Sequence, residues 1–233
     1  MIVNALLRGR SLIEFKNLEN CDLVLLANDT NIEIEEIDGF KEYLNDKEIH
    51  LVFNMVLGAA SGYHHIQFFD NFNVTKLIRP YIYGDRLPGS SGQGIPLEDN
   101  FLGNHHKKFM FTGGRYSYDY PGTGIAAIAY AILDCEVDIL NIVGLDFYDN
   151  LNYGKSNYLV ADVFGKRDFG SDVGDGLSEE HIEQVKLLQI QMQNTFCELV
   201  EHKPNMQVNL STKCKSFIDR MKNIKNLNIK VIE

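Results

Sequence analysis

Two stretches decide how this chain reads: Pro121-Gly122-Thr123-Gly124, which opens the apolar run Ile125–Leu133, and Asp138-Ile139-Leu140-Asn141-Ile142-Val143-Gly144-Leu145-Asp146-Phe147-Tyr148. The first is a small-residue turn at a helix start, which leaves backbone N–H groups free to grip a phosphate or carboxylate. The second is a strand that stays apolar until its C-terminal end, where it offers a carboxylate and a phenol. Open α/β sheets place their ligand chemistry at that end. The pairing predicts a nucleotide site.

Outward from this pair, strand-like and helical segments alternate along the chain. Strands are expected at Ile2–Leu7, Leu23–Ala27, Ile49–Val56, Lys76–Tyr83, Lys108–Thr112, Asp138–Tyr148, Gln207–Leu210 and Ile229–Ile232. Their β-branched and Leu-rich composition suits buried parallel strands. Helices are expected at Gly124–Cys135, Ser178–His202 and Lys215–Ile224. The long one carries Ile182, Val185, Leu188, Met192, Phe196 and Leu199 at steps of three and four, an amphipathic stripe. Alternation of this kind predicts a Rossmann-like α/β/α domain over residues 1–233 with a mainly parallel sheet. Arg86–Gly94 reads as a surface loop. Tyr153–Gly176 holds five glycines and few apolar positions, and its place after the Asp146/Tyr148 strand end marks it as a lid insertion.

Composition limits the partners. A formal net charge of -10 over 233 residues argues against a general nucleic-acid binder. It also requires local donors to hold any phosphorylated ligand. No run of 18 apolar residues predicts a transmembrane helix, and the N-terminal residues read as a strand rather than a signal peptide. Cys21, Cys135, Cys197 and Cys214 form no CxxC pair and read as structural thiols of a reducing compartment. The expected location is cytoplasmic or peripheral at a membrane surface, and a homo-oligomer is compatible with all of this.

The candidate site residues cluster at strand ends. Leu7-Arg8-Gly9-Arg10-Ser11-Leu12 follows the first strand, where Gly9 allows close backbone approach, Ser11 suits a cap, and Arg8 and Arg10 suit an anion. The same residues also read as an ordinary turn with two solvated arginines. Asn28 and Asn54 end the second and third strands, and each suits either a base edge or a turn. Asp146 and Asp149 bracket Tyr148, but two acids without a third ligand do not predict a metal. His64-His65 and His105-His106 lack helical ligand spacing. His181 shares a face with Val185, Leu188 and Met192 in a first helical turn, where the dipole disfavours the imidazolium. A neutral, inward imidazole suits a general base, and a satisfied core histidine is the alternative.

In their order, these islands resemble the bacterial single-domain sialyltransferases that use CMP-sialic acid. That family ends its first strand in Gly-Asn-Gly-Pro-Ser-Leu, where this chain has Leu7-Arg8-Gly9-Arg10-Ser11-Leu12. Cys-Asn corresponds to Ala27-Asn28, an aromatic with Asn to Phe53-Asn54, and Thr-Ser-Gly to Gly122-Thr123-Gly124. Ser-Gly-Ile-Asp-Phe-Tyr corresponds to Val143–Tyr148. The resemblance implies a metal-independent glycosyltransferase without cofactor, acting on a CMP-sugar donor and a glycan acceptor. It implies that Gly9, Ser11, Asn28, Asn54, Thr123 and Gly124 contact the cytidine nucleotide, alongside Arg8, Gly144 and Asp146. Tyr148 and Tyr153 would donate to the leaving phosphate, and His181, on its own position rather than the family's, is the expected base. Two departures stand out: Arg8 replaces an Asn, and Gly176 falls at the position of the family's histidine. Asp172, Asp175 or His105-His106 are therefore alternative bases.

The expected activity is inverting transfer of sialic acid or a related keto-sugar to a glycan hydroxyl. Gly9-Arg10-Ser11-Leu12 and Gly144–Tyr148 are also similar to the archaeal pterin pyrophosphokinase type, an ATP- and Mg²⁺-dependent alternative. A non-catalytic nucleotide-binding relative is the third.

Overall fold

The computed structural model describes residues 1–27, 30–52, 71–79, 109–111, 122–148, 179–216 and 218–233. Its centre is a sheet of eight strands: β1 (Ile2–Leu6), β2 (Leu23–Ala27), β3 (Glu48–Val52), β4 (Val74–Arg79), β5 (Phe109–Phe111), β6 (Ile139–Val143), β7 (Gln207–Thr212) and β8 (Leu227–Val231). Their spatial order is β5-β4-β3-β2-β1-β6-β7-β8, and every neighbouring pair is parallel. The chain winds outward from β1 to β5, then returns to the other side of β1 and winds outward again from β6 to β8. This is the doubly wound Rossmann-like arrangement, with its switch point between β1 and β6.

Helices cover both faces. α1 (Asn31–Glu36), α2 (Phe40–Leu44) and a 3-10 helix at Arg10–Asn17 lie on one side, where Leu12, Phe15, Ile34, Phe40 and Leu44 pack on Leu6, Val24, Leu26, Ile49, Leu51 and Val143. α3 (Thr123–Asp134) and α4 (Glu179–His202) lie on the other, against Val3, Ala5, Leu23, Leu25, Leu140, Ile142, Val208 and Leu210. A short α5 (Ile218–Met221) precedes β8. The period-2 alternation along each strand assigns one set of side chains to each core. α3 is buried along its length because its sequence is apolar all round, from Ile125 to Ile132.

Strand and helix positions follow the sequence reading closely at Leu23–Ala27, α3 and α4. The strand expected over Asp138–Tyr148 stops at Val143, because Gly144 turns the backbone to φ 78° and leaves the ladder. The helix expected at Lys215–Ile224 is a single turn. α1, α2 and the 3-10 helix carry few apolar residues each and were not anticipated. The expected lid at 153–176 and the loop at 86–94 lie outside the described residues. Among the described residues, no helix is long and apolar enough to cross a membrane.

One feature of the sheet is polar. Asn4, Asn141, Asn209 and Asn228 are register partners across β1, β6, β7 and β8. Their amides form a continuous ladder: Asn228 Nδ2 donates to Asn209 Oδ1 at 2.9 Å, Asn209 to Asn141 at 2.8 Å, and Asn141 to Asn4 at 2.7 Å. Asn4 in turn donates to the Tyr43 hydroxyl on α2 at 2.6 Å and to the Glu19 carbonyl at 3.0 Å.

On the α3 face, His50 of β3 is buried beside Tyr130, with its Nδ1 3.0 Å from the phenol oxygen. Burial, with Lys76 adding to it, pushes His50 from its ordinary 6.5 down to about 4, against the opposing pull of Glu48. The unfolded chain therefore takes up a proton below pH 6.5 that the folded chain refuses until about pH 4. Stability is retained above pH 6.5 and lost as pH falls through that window, by up to about 3 kcal/mol at 1.36 kcal/mol per pH unit. Urea midpoints between pH 7 and pH 4.5 are expected to fall less steeply in His50→Gln than in the wild type. Parallel slopes in the two proteins would show that His50 does not carry this dependence.

Candidate functional site

At the switch point two adjacent strands send their chains to opposite sides, and the crevice between the departing loops is where such sheets take ligands. Here the loops after β1 and β6 are stitched together at the crevice floor. Leu7 N–H donates to the Val143 carbonyl at 2.8 Å and Gly9 N–H to the Gly144 carbonyl at 2.9 Å. Gly144 N–H returns to Ser11 Oγ at 2.8 Å. Ser11, fully buried, then gives its own N–H to Asp146 Oδ2 at 2.8 Å. The approach is so close that both glycines are required. A Cβ on Gly144 would stand 2.0 Å from the Leu7 carbonyl oxygen, and one on Gly9 would stand 2.5 Å from the Gly144 oxygen.

Asp146 extends this stitch to a third strand. Its Oδ1 accepts from Lys213 N–H at 2.8 Å and from Thr212 Oγ1 at 3.2 Å, both at the end of β7. Thr212 also donates to the Leu145 carbonyl at 2.9 Å and receives Cys214 N–H at 3.1 Å. Both carboxylate oxygens are thus bonded within the protein. Asp146 therefore builds the floor on which a ligand would sit. The sequence reading did not single out Thr212 or Lys213. The local signal was a hydroxyl followed by a cation at the end of an apolar strand, which carries little information by itself.

Arg8 is buried, and its Nε donates to Glu33 Oε1 at 2.8 Å. Glu33 is fully buried in the first turn of α1, where the helix dipole favours a carboxylate. The expectation of two solvated arginines is replaced for Arg8 by a buried ion pair between the end of β1 and the helix after β2. Arg10, by contrast, is exposed at the start of the 3-10 helix.

α3 begins directly above. Its cap residue Gly122 has φ 82° and brings no side chain to cap the first turn, which among the described residues holds no acidic residue. Ala126 N–H bonds back to the Gly122 carbonyl at 3.1 Å. The N–H groups before it, at Thr123 to Ile125, are the donors that a helix start leaves without intrahelical partners. Gly124 sits so close to the floor that a Cβ there would meet Leu7 at 3.3 Å and Leu145 at 3.7 Å. The first turn of α3 therefore faces the crevice with its positive end.

Phe147 and Tyr148, just past Asp146, both hold left-handed backbone at φ 51° and 53°. Aromatic residues rarely adopt this conformation, which costs on the order of 1–3 kcal/mol each and tends to mark functional turns. Phe147 is anchored edge-on against Phe196 of α4, ring centroids 5.7 Å apart, and this leaves Tyr148 half-buried at the rim. His181 falls in the first turn of α4 as expected, with its side chain outside the described atoms. Asn28, Asn54, Tyr153, Asp149, Asp172, Asp175, Gly176 and the two histidine pairs also lie outside the described residues. Of the expected site, the structure joins Gly9, Ser11, Gly144 and Asp146 directly and seats Gly124, with Thr123 beside it, against Leu7 and Leu145. Tyr148 follows two residues past Asp146, and the Arg8 side chain turns to Glu33 of α1 instead. Among the described residues no group of three or more His, Cys, Asp or Glu could hold a metal ion. No family model matches the chain, and the comparisons with curated proteins and with solved structures found no match.

Because Asp146 accepts the Ser11 and Lys213 N–H groups, Asp146→Ala is expected to lower unfolding stability by roughly 2–4 kcal/mol, the penalty for stranding those two backbone donors. Urea denaturation measures it. A carboxylate that served only a ligand would leave the midpoint unchanged.

Proposed function

We propose that this chain is an inverting glycosyltransferase that moves sialic acid or a related keto-sugar from a CMP donor to a glycan hydroxyl, without a metal ion. The observation that carries the reading is the first turn of α3, which opens on Gly122 and holds no acidic residue of its own, at the switch point of a doubly wound sheet. Backbone N–H groups at the positive end of a helix are a ready site for a phosphate. The islands at Gly9–Leu12, Gly122–Gly124 and Gly144–Tyr148, which resemble the CMP-sialic-acid-dependent enzymes, converge on that turn and support CMP as the nucleotide.

In this reading the phosphate of the donor lies against Thr123 and Gly124, with the cytidine toward Gly9, Asn28 and Asn54, while Ser11, buried and fully bonded, shapes the floor beneath it. The acceptor hydroxyl attacks the anomeric carbon from the face opposite CMP. As the new carbon–oxygen bond forms, the bond from the anomeric carbon to the phosphate oxygen breaks and its electron pair stays on the phosphate. His181, neutral, takes the acceptor proton. The Tyr148 and Tyr153 hydroxyls and the dipole of α3 stabilise the charge gathering on the leaving phosphate, usually a large part of catalysis. Strain held at Tyr148 is consistent with a side chain fixed for that task before the donor arrives.

CMP is expected to raise the melting temperature without added metal and in the presence of EDTA, by the equivalent of ~2.7 kcal/mol at a hundredfold excess over Kd. A shift seen only with ATP and Mg²⁺ would replace this reading with diphosphate transfer. His181→Ala is expected to retain CMP binding while turnover falls roughly 10²–10⁴-fold, the usual share of a general base. Unchanged turnover in that variant would move the base role to another residue.

A further inference from the structure

The phosphate turn of α3 belongs to a helix held mostly by apolar packing. Ala126, Ala127, Ala129 and Ala131 give it a smooth surface, and its buried neighbours on the sheet are aliphatic. Apolar contact is non-directional, so the packing of Gly124 on Leu7 and Leu145 and of the buried isoleucines seats the helix by shape alone. Tyr130 interrupts this surface. It is almost fully buried, two turns below Thr123, and its hydroxyl lies 3.0 Å from His50 Nδ1 on β3. A hydrogen bond between helix and sheet fixes both the axial position and the rotation of α3.

His50 is itself held. Its Nε2 faces Glu48 Oε1 at 3.3 Å, Thr75 Oγ1 on β4 donates to that same oxygen at 2.7 Å, and Lys76 is its register partner across the strand pair. From α3, Tyr130 is the group that meets the imidazole, with Cys135 beside the phenol. Nε2 lies near Glu48 without a hydrogen bond, and Nδ1 shares the hydrogen bond with the Tyr130 hydroxyl, which also bonds Cys135.

We propose that His50 is a positioning residue for the anion-binding turn of α3, acting through Tyr130, an inference that deepens the nucleotide reading and rests on it. Burial keeps the imidazole neutral, so its bond to the phenol persists throughout the ordinary pH range.

Calorimetric titration of the full chain with CMP, on the wild type and Tyr130→Phe, His50→Leu and His50→Gln, tests it. Loss of the hydroxyl or of the imidazole is expected to weaken CMP roughly tenfold, the equivalent of one ordinary buried hydrogen bond. His50→Gln, whose amide oxygen can accept from Tyr130, is expected to recover most of that loss. A bond with a purely structural role would lower the urea midpoint and leave affinity, measured well below the transition, unmoved; that result overturns the inference. If His50→Leu does not fold, Tyr130→Phe, which removes one oxygen, carries the test. CMP binding by the wild type with unchanged affinity in Tyr130→Phe overturns the positioning role alone. No CMP binding by the wild type overturns the nucleotide reading, and the inference with it.

Discussion

Every element around the candidate site depends on how β1 and β6 part company. Two parallel neighbours that lead to opposite sides must lift their chains away from each other, and the backbone polar groups they expose need partners. This chain meets that need by bringing the two loops into contact, which is sterically open only because Gly9 and Gly144 lack a Cβ. One carboxylate then closes the set. Asp146 accepts Ser11 N–H after β1 and Lys213 N–H after β7, while its own backbone continues β6. Three strand ends are thus joined by a charged acceptor, whose hydrogen bonds are roughly twice as strong as neutral ones. The first turn of α3 rests on the resulting floor through Gly124, so the crevice inherits its shape from this junction.

The asparagine ladder answers a different problem. Hydrophobic alternation has a period of two, so it fixes which face of a strand is buried but not which of two registers offset by two residues is adopted. On the α1 side of β7 and β8 the pattern is weak, since Gln207, Asn228 and Lys230 are exposed and Asn209 and Ser211 half-buried. Amides at one register position on four adjacent strands remove the ambiguity, because a slip by two would break every rung. The ladder ends on Tyr43 of α2, which couples strand register to the packing of Phe15, Phe40 and Tyr43 on that face. Lys230 reaching Glu14 of the 3-10 helix ties the far edge to the same layer.

These two devices also mark where the sequence stops being legible. Strands such as Leu23–Ala27 and the α4 stripe could be read because their signal is local periodicity, repeated over many residues. Gly144 and Asp146 could be marked as a strand end for the same reason. Their partners could not. Asn4 and Asn141 are 137 positions apart, and Ser11 and Asp146 135, and nothing in either neighbourhood announces the other. Arg8 illustrates the cost. Beside a glycine at a strand end it suggested an anion ligand, and its ion pair with Glu33 became visible only once the helix after β2 was in place. Short helices were missed for an energetic reason: α1 and α2 are too short to be stable alone and exist through tertiary contacts of Ile34, Phe40 and Leu44.

The buried pair bears on how an anion can be held here. Separating Arg8 from Glu33 to reach a ligand would leave an uncompensated carboxylate in the core, which costs about 3–5 kcal/mol. Arg8 is therefore half of a buried pair already close to neutral on the α1 side of the sheet, in a chain whose formal net charge is -10. What the first turn of α3 adds is roughly half an elementary charge and a fan of N–H donors with fixed directions. That supply matches a phosphodiester, which bears one charge and asks for directed hydrogen bonds. A triphosphate brings several charges and ordinarily meets Mg²⁺ with clustered oxygens or a group of cations. In the proposed reading, the electrostatics at the head of α3 suit a donor joined to its nucleotide through a single phosphate. They also place a premium on the exact seating of that helix, since a donor fan discriminates by direction where a lysine would discriminate only by distance.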